Sequence, residues 1–139
     1  MPAKALLIAL LIIPQVVMAG GNVETVERFI EAYNQHDVEA MLELSAPDIR
    51  WMSVSGQRIS VQASDRIELG DAMASYFTSI PEARAELLSM SESGAFVNTL
   101  EEAFWSVDGI EKSQCSLAVY EVADDKIKNV WYFPAHQCE

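Results

Sequence analysis

Residues 29–51 read FIEAYNQHDVEAMLELSAPDIRW, and the start of the architecture follows from this stretch. Val23, Val26, Phe29, Ile30 and Tyr33 recur at the spacing of one helical stripe, with Glu24, Glu27, Arg28 and Glu31 between them. A second, shorter helix begins after Asp37, carries Val38, Met41, Leu42 and Leu44, and ends before Pro47, whose ring cannot continue it. The two helices meet at His36 and Asp37. Adjacent side chains at such a corner diverge, which argues against a catalytic histidine–aspartate pair. Asp37 instead suits the N-cap of the second helix, where a carboxylate accepts backbone N–H groups, and His36 suits the end of the first.

After the corner the hydrophobic period changes from helix to strand. Residues 49–54 and 58–62 form strands around Ser55-Gly56-Gln57, and Gly70 opens a third helix with an apolar face of Ala72, Met73, Tyr76, Phe77 and Ile80, stopped by Pro81. Residues 85–91, 96–107, 110–122 and 127–133 are strands separated by Ser-Gly, Asp-Gly and Asp-Asp turn signals. The order predicts an α+β fold, with three helices from the N-terminal half packed on a strongly curved, mainly antiparallel sheet.

The first nineteen residues, MPAKALLIALLIIPQVVMA, have a basic start at Lys4, an apolar run from Ala5 to Ile13, and small residues suited to cleavage after Ala19. They form a signal peptide; a membrane span needs ~20 apolar residues, about twice this run. Residues 20–139 then constitute a single exported domain, periplasmic or secreted, with no membrane attachment once the signal is removed. Loss of Lys4 takes the formal charge from −12 to −13, and the acids are spread along the chain. Nucleic acid would demand a basic footprint and is not an expected partner. Export makes a disulfide between Cys115 and Cys138 conceivable. Cys115 falls inside a strand and Cys138 in the tail, and bridging needs Cα atoms within ~7 Å, so a bridge and two free thiols both stay open.

Four segments carry a family resemblance: Tyr33-Asn34-Gln35-His36-Asp37, Ala46-Pro47-Asp48-Ile49-Arg50-Trp51, the helix from Gly70-Asp71-Ala72-Met73 to Tyr76-Phe77, and Asp125 to Phe133. In their order and spacing they resemble the nuclear transport factor 2-like superfamily, its SnoaL-like branch in particular. The resemblance implies a cone in which three helices close over a bent sheet and leave a pocket at the open end, and it suggests a homodimer. Members include a ketosteroid isomerase, polyketide cyclases, dehydratases and proteins that only bind, so the fold does not select a reaction. In an ungapped alignment the isomerase's tyrosine falls on Phe29, its base on Ser53 and its second acid near residues 114–116, where there is no carboxylate. Isomerase roles therefore do not transfer.

His36 and His136 offer no ligand spacing for a metal, and no glycine-rich loop follows a strand; no cofactor is expected. A two-residue turn at Asp108-Gly109 sets Glu101 opposite Ser116 and Val97 opposite Tyr120. On that register the concave side carries Phe29, Tyr33, Trp51, Phe77, Trp105, Tyr120 and Tyr132, with Ser53 and Glu101 as polar points of a ligand pocket. The competing reading is that the aromatics fill a core and that Glu101 is an exposed strand carboxylate beside Glu102. In an apolar cavity Glu101 would instead be a general acid or base partnered by Tyr120 or Tyr132. His136 is an ordinary tail residue on this reading. Three classes remain: a binding protein for an apolar or amphipathic small molecule, an enzyme of the cyclase, isomerase or dehydratase type acting through Glu101, and a ligand-free interaction module.

Overall fold

The computed structural model describes residues 21–139; the proposed signal peptide lies outside them. Helix α1 (Asn22–Asn34) buries Thr25, Val26, Phe29, Ile30 and Ala32 along one stripe. Three consecutive residues then turn the chain. Gln35 caps the helix, His36 takes the left-handed conformation at φ 55°, and the Asp37 and His36 N–H groups return to the carbonyls of Ala32 and Tyr33 at 2.9 Å each. This is the Schellman arrangement with histidine where glycine is usual. Asp37 then caps α2 (Val38–Glu43), its Oδ1 accepting the Ala40 N–H at 3.0 Å. The corner is thus structural, as the spacing predicts.

Strand β1 (Ser45–Ser55) begins before Pro47 rather than after it. Its pairing with β6 (Lys126–Tyr132) is irregular between Ser45 and Arg50, so Pro47 lies where the ladder asks for no N–H. A two-residue turn leads to β2 (Arg58–Ala63). Helix α3 (Arg66–Ser79) starts a turn earlier than Gly70. Asp65 accepts the Glu68 N–H at 2.9 Å while Glu68 reaches back to the Ser64 N–H at 2.8 Å, a reciprocal cap that fixes the start. Gly70 is mid-helix, where an added Cβ would come within 2.9 Å of the Leu42 side chain of α2.

Strands β3 (Arg84–Ser93), β4 (Phe96–Val107) and β5 (Ile110–Ala123) complete one six-stranded sheet in the order β2-β1-β6-β5-β4-β3. Only β1 and β6 run parallel. The β4–β5 register matches the turn arithmetic, with Glu101 opposite Ser116 and Val97 opposite Tyr120. Register breaks at Trp51/Met52, Leu87/Ser89 and Glu121/Val122 supply the bends that curl the sheet. Because α3 joins β2 at one edge to β3 at the other, it must cross the sheet. With α1 it covers the concave face, over a core that includes Phe29, Leu69, Phe77, Val97, Tyr120, Ile127 and Val130.

Edge strand β3 is held by the corner: Asn34 donates to the Ala85 carbonyl at 2.8 Å and accepts its N–H at 2.7 Å. His36 Nε2–H donates to the Ala83 carbonyl at 2.7 Å, its ring stacked on Phe77 with centroids 4.2 Å apart. At the other end, the tail continues alongside β5 past the end of β6. Cys115 and His136 exchange two backbone hydrogen bonds, and a Cys115–Cys138 disulfide closes the contact with Cα atoms 5.1 Å apart. His136 is therefore anchored through its backbone while its side chain stays exposed. Among the described residues no helix is long and apolar enough to cross a membrane.

Candidate functional site: an acid at the end of an aromatic cavity

Strand alternation places Val97, Thr99, Glu101 and Ala103 of β4 on the concave face, opposite Tyr120, Ala118, Ser116 and Gln114 of β5. Tyr132 of β6 lies beside Ala118. Ala118 is small and fully covered, which leaves room for longer side chains to converge over it. They converge on Glu101, which is only 4 % exposed. Its Oε1 accepts from Thr99 Oγ1 at 2.8 Å and from the Tyr120 hydroxyl at 2.7 Å, and its Oε2 lies 2.5 Å from the Tyr132 hydroxyl. The two tyrosine oxygens are themselves 2.9 Å apart.

Two proton arrangements satisfy these contacts. With Glu101 ionised, three hydroxyls donate to it and no proton lies between the tyrosine oxygens. With Glu101 protonated, Oε2–H donates to Tyr132, Tyr132 to Tyr120, and Tyr120 back to Oε1, a closed ring in which every short contact carries a proton. Burial raises the Glu101 pKa above the ordinary carboxylate value, outweighing the three hydroxyls that favour the ionised form. Burial likewise raises Tyr120, Tyr132 and Tyr33, so all three remain neutral phenols near pH 7.

Glu101 and Tyr132 line a cavity of about 240 Å³. Helix α1 supplies Phe29, Ile30 and Tyr33, α3 supplies Met73 and Tyr76, β1 supplies Trp51, and the sheet contributes Ala85, Ala103, Gln114 and Ser116. Trp51 lies nearly parallel to Tyr132 at 5.2 Å between centroids and packs on Phe29 at 5.9 Å. Phe29, Trp51 and Tyr132 thus form one stacked aromatic wall beside the acid.

Of the residues placed in the pocket from sequence, Phe29, Tyr33, Trp51, Tyr132 and Glu101 line this cavity. The other four do not. Ser53 shares a face with Trp51 and pairs with Tyr132, but it lies further along β1 than the cavity wall reaches, and its hydroxyl accepts from Gln62 at 3.1 Å. Phe77 is buried behind Tyr33, its ring centroid 5.2 Å away, and so forms core. Tyr120 is wholly covered beneath the carboxyl and contributes its hydroxyl from below. Trp105, opposite Lys112, lies further toward the β4–β5 turn and outside the cavity wall. Gln114 and Ala103 follow from the same alternation that sets Glu101 and Ser116 inward, and Met73 and Tyr76 from the helical stripe of α3. Among the described residues no cluster of three or more His, Cys, Asp or Glu side chains is placed to hold a metal ion.

Residues 26–130 match the model of the SnoaL-like domain, and the chain belongs to that family, within the nuclear transport factor 2-like superfamily. No curated protein matches it. Solved structures share the fold. An uncharacterised cystatin-fold protein from Novosphingobium aromaticivorans is 23 % identical with a TM-score of 0.74, covering 84 % of this chain and 100 % of its own. IdmH, a candidate polyketide cyclase from Streptomyces antibioticus, is 20 % identical at a TM-score of 0.68, covering 81 % and 91 %. A protein of ketosteroid isomerase-like fold from Catenulispora acidiphila, solved with trimethylamine, is 12 % identical at 0.69, covering 80 % and 85 %.

Proposed function

We propose that the chain is a small-molecule binding domain whose cavity takes a compact, largely apolar ligand with one polar group directed at Glu101 and Tyr132. The observation that carries this reading is the buried, hydrogen-bonded carboxyl in the wall of a cavity lined mainly by aromatic and aliphatic side chains. A core would gain nothing from a glutamate there, since an apolar residue avoids the cost of removing a carboxyl from water. Size limits the guest. An engineered apolar cavity of ~150 Å³ holds benzene and drug-sized sites begin near ~300 Å³, so about 240 Å³ suits one substituted ring or a compact bicycle. The neighbours do not choose the ligand, because likeness at this identity concerns fold alone.

The test is thermal stabilisation of the protein by a panel of one- and two-ring compounds, with Ala103→Phe as the variant that fills the cavity. Stabilisation by several members of the panel, abolished in Ala103→Phe, is expected; stabilisation that survives the filled cavity would place binding elsewhere. The raised acid also favours a second reading, proton transfer to or from a bound substrate by Glu101. That reading requires turnover of a stabilising compound, lost in Glu101→Gln.

Two wider features belong to the same proposal. Export to the periplasm or beyond is supported by the Cys115–Cys138 bridge, which persists in oxidising compartments, and the N-terminal residue of protein recovered from the producing cells tests it. A homodimer is supported by the outer sheet face, where Phe96 and Leu117 are exposed beside Val119 and Trp131.

A further inference from the structure

We infer that the guest of this cavity is a small organic ammonium ion, seated among the aromatic rings with the Glu101 carboxylate as its counter-charge. The inference rests on the binding reading above and names the chemical class that reading leaves open. Five of the twelve residues lining the cavity are aromatic, and the one ionisable side chain among them that can carry charge near neutral pH is Glu101; no lysine, arginine or histidine lines it. An anion would meet electron-rich rings and a carboxyl with no compensating positive group. A cation meets the reverse: ring systems attract positive charge within ~6 Å of their centroids, most strongly when water is excluded. The acidic chain, at a formal −12, adds a long-range attraction of the same sign.

The hydroxyl cluster is suited to the ionised state. Thr99 on β4, Tyr120 on β5 and Tyr132 on β6 can all donate to the carboxylate, so the one thing it lacks is positive charge. The remaining phenols near it are Tyr33 on α1 and Tyr76 on α3, and burial keeps Tyr33 neutral. At pH values below its raised midpoint Glu101 holds a proton within the closed hydrogen-bond ring. Entry of an ammonium ion takes that proton off to solvent, leaving carboxylate and cation paired. Affinity for a cation therefore rises with pH through the Glu101 midpoint, whereas affinity for a neutral guest does not.

The experiment compares choline with 3,3-dimethylbutan-1-ol, the same shape with carbon in place of the charged nitrogen, by calorimetric titration at pH values below and above the Glu101 midpoint. The wild-type protein is expected to prefer choline by about tenfold or more at the upper end, with proton release on binding and a preference that shrinks as pH falls. Glu101→Gln keeps the side-chain volume and is expected to lose the choline preference, binding the two probes to within a few-fold of each other, while an unchanged circular dichroism spectrum shows the fold intact. Equal binding of both probes, or a preference that survives Glu101→Gln, overturns the ammonium assignment and leaves the binding reading standing. Failure of the wild type to bind either probe, or any ring compound of the wider panel, overturns both.

Discussion

Glu101 shows what the sequence reveals and withholds at a single position. Alternation sets it inward and Glu102 outward, but alternation does not say whether a strand's inner face is roofed at that point. The roof comes from α1 and α3, whose placement depends on bends in the sheet that no local pattern marks. The raised pKa has a consequence for stability. The folded form holds a proton that the unfolded chain gives up near the ordinary carboxylate value, so stability present below that value is lost as pH rises through the higher folded midpoint. Urea unfolding from pH 4 to pH 8 is expected to show this decline in the wild type and a flatter profile in Glu101→Gln. An opposite slope attributable to Glu101 would mean that the carboxylate is stabilised rather than strained. Tyr120→Phe removes a donor from a wholly buried group and is expected to cost roughly 1–3 kcal/mol in the same measurement, with little change in the outer surface.

The helix corner and the hairpins were legible because their signals are local. The helical stripe of α1, the Asp37 cap and the Asp108-Gly109 and Asp124-Asp125 turns each lie within a few residues of the structure they dictate. Gly70 reads as punctuation in the sequence and so displaces the start of α3 from its true place at Arg66. The stronger signal was the pair Asp65 and Glu68, three residues apart. Gly70 is instead the point at which α3 lies against Leu42. Least visible was Asn34, a helix-end residue in sequence, whose amide replaces a missing strand for the edge of β3. Asn34→Ala releases both bonds and is expected to destabilise by about 1–3 kcal/mol. Asp37→Ala, losing a cap, is expected to cost roughly 1 kcal/mol. Chemical denaturation of the two variants checks both, and an Asn34→Ala protein as stable as the wild type would show that the corner does not hold the sheet edge.

For the molecule as a whole, the overall α+β order and β4–β5 register were readable, whereas the cavity boundary was not, because it depends on where bends redirect strands that share one alternation. Ser53 shares a face with Trp51, and Trp105 with Glu101, yet both lie outside the cavity, because alternation sets the face and not how far along a strand the helices roof it. The disulfide joins residues 23 apart in sequence, and closing a loop of that size stabilises by about 3 kcal/mol, so Cys115→Ser with Cys138→Ser should lower the unfolding midpoint accordingly. For the proposed dimer, Leu117→Glu on the outer face is expected to shift sedimentation to the monomer without altering ligand binding; unchanged sedimentation would remove that face from the interface. On the proposed reading the buried Glu101 carboxyl is the charged group of the binding cavity. Carbon-13 NMR of the Glu101 carboxyl, titrated with the cavity free and then with a bound guest, tests it most directly. A midpoint above 4.5 in the free protein, moving when the cavity fills, is expected. A carboxyl titrating at or below 4.5, indifferent to any guest, would contradict it.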